Sequence, residues 1–105
     1  MTNRQNNAFH KFCELIAIEY NEIGLSMNNI EFANLDFNIR FDKDIVKKQI
    51  VKKIIKQYWD LESTQDLDNY KLNQIIDMFN LHFAQIGRKV YFPSIETLMF
   101  KLDKE

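Results

Sequence analysis

Two glycines and one proline are all that the 105-residue chain offers for tight reversals. A sheet built from hairpins needs residues that accept a positive φ, or a fixed turn, at nearly every reversal. So few of them point to a small number of long elements, and helices meet that condition with the least strain. The content, 46% hydrophobic and 28% charged, is that of a folded globular protein. A chain this long fills one core and is too short for two, so a single helical domain over residues 1–105 is expected.

The apolar spacing divides the chain into elements. Phe9, Phe12, Leu15, Ile16, Tyr20 and Ile23 recur every three or four residues and predict a first helix from about Asn3 to Ile23, with Gly24 as its stop. Leu35, Phe37, Ile39 and Phe41 alternate with polar residues, which is the pattern of a strand. Its one available partner is the "KVYF" run at 89–92, so a minor two-stranded ribbon pairing 35–41 with 89–92 is expected.

A second helix begins near Asp42 or Asp44 and ends near Tyr58 or Trp59. Val46, Ile50, Val51, Ile54, Ile55 and Tyr58 share its broad apolar side, and Lys48, Lys52 and Lys56 form a ridge opposite, with Gln49 and Lys53 beside them. A third helix follows a cap at Asp66 or Asp68. It carries Leu72, Ile75, Ile76, Phe79, Phe83 and Ile86, places His82 on its flank and closes at Gly87. Ser94 caps a short last helix bearing Ile95, Leu98, Met99 and Leu102. The fold class is therefore mainly α: a small bundle of three main helices plus a short C-terminal one.

Little in the chain looks catalytic. Cys13 is the only cysteine and lies beside the apolar stripe of the first helix, where a small buried hydrophobe fits. One cysteine and two histidines are too few for an ordinary zinc site, so no metal ligand is assigned. No glycine-rich phosphate loop or serine elbow occurs, and no cofactor signature accompanies a candidate nucleophile; a non-enzymatic protein without cofactor is expected. The polar residues Arg4, Asn6, His10 and Lys11 interrupt any apolar leader, no stretch approaches the ~18 apolar residues of a membrane span, and a lone cysteine suits a reducing interior. Those features predict a cytoplasmic protein with no membrane partner.

Charge is placed unevenly. From Glu14 to Asp36 there are five acids and no base, whereas Lys43 to Lys56 holds six lysines against Asp44 alone. The formal total is −1, too near neutral for undirected attraction to nucleic acid, so any such binding has to be local. Lys48, Lys52, Lys53, Lys56 and Arg4 are the candidate phosphate contacts, and Trp59 is the candidate aromatic beside them. The same lysines also suit an ordinary solvated helix face.

Three segments, "RQNNAFHKFCELIA", "EST" with "DLDNYKLNQIIDMFNLHFAQIG", and "VYFPSIETLM", together resemble a family of small phage proteins that open on a Gln-Asn-Asn helix and close on a Phe-Pro-Ser-Ile-Glu segment. Gln5, Asn6, Asn7, Glu62, Ser63, Thr64 and the run Phe92 to Glu96 carry the likeness. That family is in turn similar to the helical part of NinB-type phage recombination proteins, which bind single-stranded DNA. The resemblance implies a phage-encoded recombination accessory that contacts single-stranded nucleic acid in the host cytoplasm. The second helix here is richer in lysine than that family's, and the leading strand of NinB-type proteins is absent from the sequence.

A second class of function fits the same features: a phage inhibitor of the anti-CRISPR type, docking by protein–protein binding on a host defence nuclease or another nucleoprotein effector. Small size, missing catalytic motifs and split charge are common to both readings. The sequence leaves open the partner, the choice of DNA or RNA, and the oligomeric state.

Overall fold

The computed structural model describes residues 1–23 and 41–104 and is a mainly α, small helical bundle. Helix α1 spans Asn3–Ile23, α2 covers 43–59, α3 spans Asn69–Gln85 and α4 spans Ile95–Asp103, with a 3-10 turn at Thr64–Asp66. Gly24, assigned above as the stop of α1, and the strand positions 35–40 lie outside the described residues.

Each helix start is set by a short polar side chain. Thr2 and Gln5 form a reciprocal capping box: the Thr2 Oγ1 accepts from the Gln5 N–H at 3.1 Å, and the Thr2 N–H donates to the Gln5 Oε1 at 2.7 Å. Asp42, Asp68 and Ser94 cap α2, α3 and α4 by accepting from the N–H three residues on, at 2.9, 2.8 and 3.2 Å. Of the alternatives at the second and third caps, Asp42 and Asp68 are therefore the caps.

Two helix stops use the left-handed region. Gly87 follows α3 with φ 81°, the conformation its missing Cβ makes inexpensive, and Asp60 closes α2 at φ 54°.

Packing divides the chain into two units, Met1–Phe9 with Gln65–Glu105, and His10–Thr64. In the second of these, Phe12, Cys13, Ile16, Ala17 and Tyr20 of α1 and Val46, Ile50, Val51, Ile54 and Ile55 of α2 are buried. Phe41 is buried as well, its ring 5.1 Å from that of Tyr20. In the first, Phe9, Leu72, Ile75, Ile76, Phe79, Phe83, Ile95 and Leu98 make up most of the core. Leu15, placed on the stripe by spacing, is only half-buried.

Helix α2 departs from an even α-helix. Between its α-helical turns at Lys43–Ile45 and Lys52–Trp59, the stretch Val46–Val51 is π-helical, with the Lys52 N–H bonded to the Lys47 carbonyl five residues back. Such segments are rare, and they occur frequently at functional sites. Tyr58, expected on the apolar side, is instead 57% exposed: Ile55 is the last buried residue of α2, so the apolar stripe ends a turn before the helix does.

Three further expectations are corrected. Residues 89–92 form no strand, because the backbone of Phe92 is bonded by a side chain rather than by a neighbouring strand. His82 is not on a flank; it is 4% exposed, with its ring 5.7 Å from that of Phe83. Ile86 leaves the apolar ladder and is 44% exposed, since α3 ends at Gln85 and the chain turns away at Gly87.

Candidate functional site

The six candidate residues occupy two places. Lys48, Lys52, Lys53, Lys56 and Trp59 sit on α2, in the unit His10–Thr64, whereas Arg4 belongs to the other unit. All four lysines are exposed, and Trp59 is half-buried. Arg4 is engaged by the Asp103 carboxylate on α4.

The lysines are not equivalent electrostatically. Lys56 Nζ lies 2.7 Å from an Asp60 carboxylate oxygen and also bonds the Glu62 carboxylate. Those hydrogen bonds, Asp60 first and Glu62 second, push the Lys56 ammonium well above its ordinary range and hold the Asp60 carboxyl below its own. The left-handed turn at Asp60 brings both acids back over the end of the helix. Lys48 and Lys52 are exposed and take part in no ion pair among the described residues.

A shallow groove runs beside this face, lined by Lys52, Lys53, Lys56, Gln57, Leu61 and Glu62. The aromatic best presented at this end of α2 is Tyr58, whose ring centroid lies 6.3 Å from that of Trp59. Helical spacing puts Tyr58 on the apolar side of α2, yet with Trp59, Tyr70 and Tyr91 it is also one of the aromatics that periodicity leaves as candidate partner contacts.

Lys47, the remaining lysine of the π-helical stretch, reaches α1. Its Nζ donates to His10 Nε2 at 2.9 Å, which leaves the ring proton of neutral His10 on Nδ1. Burial, then the charges of Lys47 and Lys43, lower the His10 pKa from its ordinary 6.5, with Asp44 pulling the other way.

Cys13 is fully buried, and burial pushes its thiol up to about 12, so it stays protonated and unreactive near neutral pH. Among the described residues no three His, Cys, Asp or Glu side chains converge as a metal site, and no helix is long and apolar enough to cross a membrane.

Four of the residues that carry the phage-family resemblance take structural positions. Gln5 completes the α1 cap and donates through Nε2 to Asn69 Oδ1; Glu62 holds Lys56, Thr64 is buried, and Ser94 caps α4.

A second groove lies in the other unit, at the end of α3, lined by Ala84, Gly87, Arg88, Lys89, Val90 and Tyr91. The run "GRKVY" at 87–91 sets two adjacent bases just ahead of Tyr91, an aromatic that periodicity already leaves as a candidate partner contact. Comparison with protein-family models, curated proteins and solved structures gives no match.

Proposed function

We propose that the protein is a non-enzymatic binding protein that contacts the backbone of single-stranded nucleic acid through the exposed face of α2. The observation that carries this reading is the pair Lys48 and Lys52, one helical turn apart, exposed, and without a carboxylate partner among the described residues. Cations so placed meet successive phosphates and release condensed counterions, while Tyr58 and Trp59 at the end of the same helix offer a face for base stacking. The π-helical stretch that bears Lys48 favours the same face. A phage origin and a role beside recombination rest on the family resemblance of the Gln5–Asn7 and Phe92–Glu96 segments.

The test is binding of a single-stranded oligonucleotide across a salt series. Affinity should fall with salt, and Lys48→Gln with Lys52→Gln should flatten the log–log slope by about 1.4, at about 0.7 per phosphate contact. No affinity even at low salt, or an unchanged slope in the double variant, overturns the proposal.

One observation favours docking on a host protein instead. The α2 groove mixes Lys52, Lys53 and Lys56 with Glu62 and the apolar Leu61, a polarity closer to that of a protein rim than of a polyphosphate track. Capture of a host partner that survives nuclease treatment supports this second reading, and its loss on nuclease treatment supports the first.

A further inference from the structure

We propose that the loop 86–91 is a second single-strand contact, in which Tyr91 stacks on one base and Lys89 holds the adjoining phosphate. The loop is tied at both ends. At its start, the Arg88 N–H donates to the Phe83 carbonyl at 2.9 Å beside left-handed Gly87, and the Val90 N–H closes a tight turn onto the Arg88 carbonyl at 3.0 Å. At its end, the Phe92 backbone is held on both sides by the Asn80 side chain, at 2.7 and 3.0 Å.

With Phe92 turned inward, its ring 5.6 Å from that of Phe83, the preceding side chain points away from the core, and Tyr91 is 81% exposed. An aromatic displayed from a loop anchored on both sides loses little conformational freedom when a base stacks on it. The groove beneath is lined by Arg88 and Lys89 and by no carboxylate, in contrast to the α2 groove with Glu62. Lys89 is exposed and makes no ion pair among the described residues. Base stacking with an adjacent cation is the chemistry of sequence-tolerant single-strand binding, so the occupant is a short stretch of single-stranded nucleic acid.

This site shares its ligand class with the proposed α2 face but depends on none of its residues. The test measures binding of oligo(dT) and oligo(rU) to the full chain by fluorescence anisotropy, for the wild type, Tyr91→Ala, Tyr91→Phe, Lys89→Gln and the α2 double variant. Tyr91→Ala should weaken binding about tenfold while Tyr91→Phe keeps it, because stacking needs the ring and not the hydroxyl. Lys89→Gln should flatten the salt slope by about 0.7. Irradiation should crosslink the oligonucleotide to a peptide containing Tyr91.

Wild-type affinity in Tyr91→Ala overturns this inference, even where the α2 variant has lost binding and the α2 reading stands. Conversely, loss in Tyr91→Ala with an unaffected α2 variant supports the loop and overturns the α2 face. Equal losses in Tyr91→Ala and Tyr91→Phe, with no crosslink, also overturn it, since the hydroxyl rather than the ring face would then carry the contact.

Discussion

The carboxamide of Asn80 makes both backbone hydrogen bonds of Phe92: its Oδ1 accepts from the Phe92 N–H at 2.7 Å, and its Nδ2 donates to the Phe92 carbonyl at 3.0 Å. In the other unit Asn21 does the same for Phe41, at 2.8 Å on each side. In both places one side chain supplies the donor and acceptor that a neighbouring strand would have provided, and the aromatic is free to drop into the core. One helical face extends the device, since Asn73, seven residues before Asn80, accepts from the Ile95 N–H at 2.8 Å and donates to the Glu96 carboxylate.

Asn80→Ala should therefore destabilise the fold by about 1–3 kcal/mol, because it removes the partners of a part-buried N–H and C=O together. Denaturant melts measure the loss, and a change under about half a kcal/mol, within the range of ordinary surface substitutions, would show that water replaces the carboxamide at no penalty.

Ile54 is fully buried in α2, just beyond the π-helical stretch. Ile54→Ala should cost about 2–5 kcal/mol through the cavity it opens, read in the same melts. A negligible loss would mean that the wide turn of α2 closes over the gap.

Acid should weaken the fold in two stages. His10 has a folded pKa below the ordinary 6.5, so as pH falls the unfolded chain takes its proton first; stability drops from about pH 6.5 down to the lower folded value and then levels off. Asp60, Asp68 and Glu96 are also lowered, by hydrogen bonds from Lys56, Lys71 and Asn73 respectively. Their contributions are full above the ordinary carboxylate range and are lost as pH falls from that range down through the lowered folded values. His10→Gln should flatten the first stage and leave the second, which melts at stepped pH would resolve. An unaltered first stage would assign it to other groups.

Lys56 should be silent toward phosphate in the wild type because Asp60 and Glu62 already hold it. Lys56→Gln alone should leave the salt slope of oligonucleotide binding nearly unchanged, whereas Asp60→Asn with Glu62→Gln should steepen it by about 0.7 as the ammonium is released. A flattened slope in Lys56→Gln would show that phosphate displaces the two carboxylates.

Much of the helical scaffold was legible in the chain itself. Scarce glycine and proline, apolar residues every three or four positions, and Asp or Ser at the starts are local signals, and α1, α3 and α4 lie where those signals put them. Capping and periodicity act within a few residues, so neighbours in sequence are enough to express them.

The tertiary structure decided what depends on residues far apart. The apolar run at 89–92 reads as a strand until Asn80, twelve positions earlier, occupies the backbone of Phe92. Helical spacing puts Tyr58 inside until the buried stripe ends at Ile55, and it puts His82 on a flank that proves to be buried. The lysines of α2 look alike on a wheel, but the left-handed turn at Asp60 folds two carboxylates back onto Lys56 and leaves Lys48 and Lys52 exposed to solvent. Charge and burial depend on distances through space, whereas residue spacing reports only the angle around one helix.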